Sequence, residues 1–192
     1  MPPPLPAPFQ QGNLDGLCGV YAIINAARLL AQRRRLPRAV WLELFEALTE
    51  RLQDDGVLSN AVPHGIATRQ LRGLLAHACT WLSTEHDIHL VTSRPFVKRQ
   101  SLTFADAADE LRERLVIDGD RRAVAILGTT EHWTVVRSVG GTHLNLYDSE
   151  GLHRWQLRRC RFHRQEALPF RSEHVIAKKG VIIVAEAASE RG

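Results

Sequence analysis

The sequence predicts an α+β domain in which a helical N-terminal half, with a cysteine at the start of its first long helix, packs on a C-terminal antiparallel β-sheet. Three observations predict it. Apolar residues recur at helical three-four spacing from Cys18 to about Leu115, the pattern then changes to short β-branched or alternating segments, and glycine-containing turns separate those segments. The chain has 192 residues, of which 44% are hydrophobic, enough for one proper core. The expected division is a Pro-rich extended tail over residues 1–9 and a single domain over residues 10–192.

The opening "MPPPLPAPF" lacks the basic start and continuous apolar core of a secretory signal, and its proline density suits an extended lead-in. "QGNLDG" is turn-forming and polar. A first helix then runs from about Gly16 to Arg34, with Val20, Ile23, Ile24, Ala27 and Leu30 on its buried face. Pro37 interrupts the pattern. Val40, Trp41, Leu44, Phe45, Leu48 and Leu52 resume it, which predicts a second helix to about Gln53. "DDGVLSNAVPHG" reads as a loop bordering a cleft. "TRQLRGLLAHACTWL" predicts a third helix with Leu71, Leu74, Leu75, Ala78 and Leu82 on one side, where Cys79 is a core thiol. "TFADAADELRERL" predicts a fourth, with Thr103 as its N-cap. "RAVAILG", "HWTVVRSV", "THLNLYD" and "GVIIVAEA" are the strands, and "VGGT" makes the second and third an antiparallel hairpin.

Composition narrows the function classes. No stretch approaches the roughly 20 apolar residues that span a bilayer, so no membrane partner is expected and the expected compartment is the cytoplasm. Delivery into another cell would need a dedicated secretion system. Cys18, Cys79 and Cys160 are too few for a disulfide framework and show no paired CxxC spacing, so at least one is a free thiol. A net charge of +4 with the runs "AQRRRLPR" and "HRWQLRRCRFHR" reads as solvated surface, because aromatics are 6% and no nucleic-acid motif accompanies the arginines. Nucleic acid is therefore not an expected partner. "HDIH", around His86 and His89, is not completed by further ligand pairs, so neither metal nor cofactor is expected.

The chemistry centres on Cys18, at the seam between the polar turn and the first helix. Unpaired N–H groups and the helix dipole at such a terminus stabilise a thiolate, the form that attacks a carbonyl. Gly19 is read as leaving space beside the sulfur for that carbonyl. A cysteine nucleophile needs an imidazole to take and return its proton, and a third side chain to orient the ring. His132 opens a strand, and alternation is expected to turn it toward the helix layer from the end of the sheet. A hairpin centred between Gly140 and Gly141 sets His132 opposite Ser149, which brings Asp148 beside it. His143 and His153 lack an acid at this spacing, and alternation puts Asn145 on the opposite face from Asp148. Trp133, next to His132, is read as core, with the leaving-group side of a cleft as the alternative. An oxyanion hole would use the Cys18 N–H and a side-chain amide from Gln11, or from Gln10.

The order Gln, Cys, His, Asp, carried by Gln11, "LCGVYA" at 17–22, "HWTVV" at 132–136 and "YDSEG" at 147–151, resembles the papain-like cysteine peptidases. Asp148 and "CGVYA" are similar to the compact bacterial branch, which includes bacteriocin-leader-processing peptidases and papain-fold effector toxins. The resemblance implies a papain-like fold and a cysteine peptidase or amide/isopeptide hydrolase working on a protein or peptide substrate through a thioester acyl-enzyme. It implies Cys18 as nucleophile, His132 as general base and acid, Asp148 as the orienting residue and Gln11 as oxyanion donor. Transglutaminase-like and acyltransferase enzymes share the Cys-His-Asp order, and a non-catalytic protein-binding module of the same fold is the third reading.

Overall fold

The computed structural model describes residues 5–13, 15–117, 122–163 and 174–187. Helix α1 (Cys18–Leu30) is buried almost all round, including Val20, Ile23, Ile24, Asn25, Ala27 and Leu30. A helix with so little polar surface belongs in the centre of a fold. It touches the sheet on one side and the helices α2 (Arg38–Asp54) and α4 (Thr68–His86) on others. The α-helical part stops at Leu30, and a tighter 3-10 turn carries the chain over Gln32–Arg34 to Arg35, which sits at φ 47°. Helix α2 begins directly after Pro37, whose fixed φ of −65° suits a helix entrance.

The predicted loop at "DDGVLSNAVPHG" is in fact partly helical: α3 spans Leu58–His64 and ends at Gly65, at φ 74°. Only Ala61 in it is buried, so it has no periodic apolar stripe to betray it. Helix α4 runs four residues beyond the expected Leu82, to His86, and stops at Asp87 in the left-handed conformation. Helix α5 (Phe104–Arg114) starts at the expected N-cap. The Thr103 hydroxyl accepts from Asp106 N at 3.2 Å while the Asp106 carboxylate accepts from Thr103 N at 3.0 Å.

Among the described residues seven strands form one sheet: β1 (Leu90–Ser93), β2 (Ala123–Thr129), β3 (Trp133–Val139), β4 (His143–Tyr147), β5 (Arg154–Gln156), β6 (Cys160–Phe162) and β7 (His174–Glu186). Their order is β1-β7-β2-β3-β4-β5, antiparallel throughout, with the short β6 added parallel to the start of β7. The expected layout of helical half and C-terminal sheet holds in outline, with two corrections. β1 comes from the N-terminal half, and α5 packs on the sheet face opposite α1. Side-chain alternation splits the apolar residues between these faces. Val124, Ile126, Trp133, Val135, Tyr147, Ile182 and Val184 join α1, α2 and α4, whereas Ala125, Leu127, Val136, Leu146, Val181 and Ile183 join α5. The described part of the Pro-rich segment is tied to α1. Arg28 donates to the Ala7 carbonyl at 2.5 Å and stacks over the Phe9 ring at 4.3 Å. No helix among the described residues is long and apolar enough to cross a membrane.

Candidate active site

The chain enters α1 through a loop closed on itself. One Asp15 carboxylate oxygen accepts from Gly12 N at 2.8 Å and the other from Leu17 N at 3.1 Å. Gly16 N donates to Val62 O, and a Cβ on Gly16 would stand 2.8 Å from Gly65 N, so only glycine lets the loop seat against the end of α3. Cys18 follows as the first residue of α1, 6% exposed, with its sulfur 3.8 Å from the Gly16 carbonyl. Leu17 offers the helix no side-chain cap, and no group among the described residues accepts from Cys18 N–H. Val20 N already donates to Leu17 O at 2.8 Å, so the uncommitted donor beside the sulfur is the N–H of Cys18 itself.

Gly19 does not serve the expected purpose. A Cβ there would lie 2.6 Å from Ile66 Cδ1 and 3.0 Å from Leu71 Cδ1, so the missing side chain admits Ile66, not a substrate. Gly19→Ala gains about 1 kcal/mol of helix propensity but overpacks a buried contact at a cost of about 1–3 kcal/mol. Ile66 is 6% exposed and has little room to withdraw. The contact therefore wins, and the variant will show a lower denaturation midpoint at unchanged m-value.

His132 is placed by the turn between β2 and β3. The Thr129 hydroxyl accepts from His132 N at 2.9 Å and from Glu131 N at 3.2 Å, and Thr129 N donates to His132 O at 2.9 Å. The expected alternation toward the helix layer is corrected here. Trp133 and Val135 take the α1 side, so His132 has the opposite parity and approaches Cys18 from the turn ahead of the strand. The register also moves. Val139 pairs with Leu144, but beyond a shift between Val136 and Ser138, Val136 pairs with Leu146 and Val135 with Tyr147. Extended by the same pairing, Thr134 faces Asp148 and His132 faces Glu150 rather than Ser149. Asp148 is then the diagonal neighbour of His132, still within side-chain reach. Their atoms meet: His132 Nε2 lies 2.7 Å from Asp148 Oδ2.

Asp148 is 1% exposed, and its second oxygen accepts from Glu150 N at 2.8 Å and Leu152 N at 3.4 Å. An ionised carboxylate only accepts, so Nε2 carries the shared proton and Nδ1 is left for the thiol. Burial by itself would lower the pKa of His132. The hydrogen bond to Asp148, the neighbouring Cys18 sulfur and the Asp148 charge outweigh it and raise the ring to about 10. Burial pushes the Asp148 carboxyl up, but the hydrogen bonds from His132 and Thr134 and the His132 charge bring it below its ordinary value. Nδ1 has no aligned hydrogen-bond partner, so the sulfur acts on the ring from beyond a formed bond, as is common in resting sites.

Glu150 is a site residue the sequence reading missed. Its carboxylate stands 3.2 Å from Nδ1, the ring nitrogen that Asp148 does not hold, without the alignment of a hydrogen bond. Its place two residues after Asp148, opposite His132 once the hairpin is shifted by one, was the available signal.

Gln11 links the two halves of the site. Its backbone N donates to Ser149 O at 3.1 Å, its side-chain nitrogen donates to Asp15 O at 3.0 Å, and its side-chain oxygen accepts from Ser149 Oγ at 3.3 Å. Gln10 Nε2 instead donates to Asp148 O at 3.4 Å. Both glutamines thus run alongside the turn that follows β4, and the Gln11 amide retains a second N–H.

No protein-family model, curated protein or solved structure matches this chain.

The remaining candidates lie elsewhere. His143 pairs with Thr142 and His89 with Ser83 and Asp87, while His86 packs on Trp81 at 4.9 Å. Asn145 donates to Ser138. Burial pushes the Cys79 thiol up and that of Cys160 to about 12, which suits core thiols. Among the described residues no group of three His, Cys, Asp or Glu side chains could hold a metal ion. Trp133 is core: it is 7% exposed and its Nε1 donates to Ile66 O at 2.9 Å.

Proposed function

We propose that this protein is a cysteine hydrolase of papain-like fold, cleaving peptide, amide or isopeptide bonds of a protein or peptide substrate. The observation that carries the reading is the 2.7 Å His132–Asp148 pair, set next to a thiol on the first residue of a central helix. The three residues come from separate elements, and a core cysteine needs neither partner.

The resting pair is a Cys18 thiolate beside a protonated His132 ring, and in the first half-reaction the sulfur attacks the scissile carbonyl carbon. The charge that develops on the carbonyl oxygen is met by Cys18 N–H and the Gln11 amide. The tetrahedral intermediate collapses by breaking the C–N bond, and the amine leaves with the proton from His132. A thioester remains. Water then attacks it, giving one proton to His132, and the C–S bond breaks as the carboxylic acid forms. The sulfur leaves as the thiolate beside the protonated His132 ring, which restores the resting pair. Asp148 holds the ring throughout and stabilises its charged form.

The test is the rate of Cys18 alkylation by iodoacetamide from pH 4 to 9, read by mass spectrometry in the native protein and in His132→Ala. The expected result is fast labelling at pH 5–6 that disappears in the variant, because a thiolate is then held by an imidazolium. Labelling that rises only above about pH 8 in both proteins would reject the reading. Product analysis with an added amine separates hydrolysis from acyl transfer by the same triad.

A further inference from the structure

The triad leaves one acid at the candidate site without a role. The Glu150 carboxylate lies 3.2 Å from His132 Nδ1, close enough for an ion pair but off the line of a hydrogen bond, so the axis of that nitrogen stays open to the sulfur and to a substrate. Its backbone is fixed, because Glu150 N donates to Asp148 Oδ1 at 2.8 Å, while its side chain is 47% exposed and reaches solvent. Among the described residues, His132 is the one charged group that pairs with it.

The site is short of positive charge. In the resting state the Cys18 sulfur, Asp148 and Glu150 are anions, and the His132 ring is the single cation set among them. The segments that meet there, residues 9–18, 129–134 and 147–152, contain no Lys or Arg, although the chain holds 25. The other acids of these segments are placed differently. Asp148 is buried against His132, the Asp15 carboxylate accepts from Gly12 N and Leu17 N, and Glu131 is exposed in the turn ahead of the ring.

His132 Nδ1 fixes where the leaving group goes. The amine departs with the proton of Nδ1, so its nitrogen must come within about 3 Å of Nδ1 and hence within about 6 Å of Glu150. The side chain of the residue that carries this nitrogen begins two bonds from it, and a long cation there reaches the carboxylate. Glu150 thus faces the residue after the cleaved bond.

We propose that Glu150 is the specificity residue on the leaving-group side, selecting substrates with a cationic side chain, Lys or Arg, at the first position after the cleaved bond. The inference rests on the hydrolase reading and names its substrate class. The new ion pair supplies the positive charge that the site lacks, and an acid at the same position would be repelled.

The probe acyl group is acetyl, delivered by p-nitrophenyl acetate, which acetylates the Cys18 sulfur as p-nitrophenolate leaves. The thioester then partitions between water and an added amine, whose nitrogen attacks the carbonyl carbon and gives a proton to His132 as the C–S bond breaks. This is acylation in reverse, so the amine that attacks takes the place of the amine that leaves. Argininamide and citrullinamide have side chains of equal length, one a cation and the other neutral, and glutamic acid α-amide supplies an anion. The acetylated amides are quantified by mass spectrometry, and the ratio between two amines in one protein cancels differences in thiol reactivity. Argininamide should capture about three- to five-fold more acetyl than citrullinamide, the gain expected of one half-exposed ion pair. Glutamic acid α-amide should capture less than either. Glu150→Gln should bring argininamide and citrullinamide to within about 1.5-fold of each other, and Glu150→Lys should turn the preference toward glutamic acid α-amide. Equal capture of argininamide and citrullinamide by an acetyl-enzyme formed on Cys18 would overturn the role of Glu150 and leave the hydrolase reading standing. So would an acetyl-enzyme that no amine captures, or a preference for argininamide that survives Glu150→Gln. A Cys18 that the activated ester never acetylates would overturn both.

Discussion

Asp148→Asn will lower turnover by about two to four orders of magnitude while leaving the protein folded, because the carboxamide keeps the shape of the side chain but not the charge that holds His132. The ring is the direct readout. In the native protein its proton should persist to about pH 10. Without the anion, burial is the largest influence left, so the titration followed by NMR of the ring protons should fall several units, toward neutrality. A ring still protonated at pH 9 in the variant would show that Asp148 does not set its charge.

The same pair governs stability against pH, and the signs of its two halves differ. The pKa of His132 is raised on folding, so its contribution is complete below the ordinary value of 6.5 and is lost as pH rises toward about 10. That of Asp148 is lowered, so its contribution is complete above the ordinary 3.8 and is lost as the pH falls below it. The native protein should therefore lose denaturant stability on the alkaline side between these limits, and Asp148→Asn should flatten that slope. Parallel pH profiles for the two proteins would contradict the assignment.

Trp133→Ala will carry the largest stability cost, about 3–5 kcal/mol, as expected for removing a buried indole. Here the ring does more than fill space. It lies over Gly128, where a Cβ would come within 2.4 Å of it, and its N–H satisfies the Ile66 carbonyl at 2.9 Å. Ile66 in turn packs into the gap at Gly19, beside Cys18. Trp133 thus couples the strand that follows His132 to the helix that carries Cys18. Urea unfolding should show a lower midpoint, and acid-pH alkylation of Cys18 should fall even at temperatures where the variant is folded. Trp133→Phe, which keeps one aromatic ring but loses the N–H and the second ring, should cost less than Trp133→Ala but at least about 1–3 kcal/mol, the penalty for an unpaired buried carbonyl, with the smaller cavity added to it. A Trp133→Ala protein with native stability and alkylation would show that the indole couples nothing.

Some of this architecture was legible because its signals are local. Five- and six-fold repeats of apolar spacing identify α1, α2 and α4, and Thr103 with Asp106 three residues on marks the start of α5. Helix α3 was illegible because a seven-residue helix with one buried residue shows no period. Strands β5 and β6, three residues each, were hidden for the same reason. The start of β7 was missed because it continues well ahead of the apolar run at Gly180–Val184.

For the candidate site, the type and order of residues were open to reading from the sequence alone. A cysteine after a polar turn, a histidine at a strand entrance and an aspartate closing the next strand are statements about short segments, and the glycine pair at 140–141 ties the last two together. Packing between distant segments decided the rest. The hairpin turns one residue later than the glycine pair suggests, and a one-residue shift within the β3–β4 pairing takes back half of the change, which puts Glu150 opposite His132; no local pattern encodes such a shift. Gly19 looked like room for a substrate until Ile66, 47 residues away, filled it. Asn25 fastens Phe9 to α1 across from α2, a contact between residues 16 apart that no local pattern announces. Periodicity reports which face of an element is buried, whereas the atoms that meet across elements follow from how whole layers settle against each other, and that is what brings His132 to Asp148.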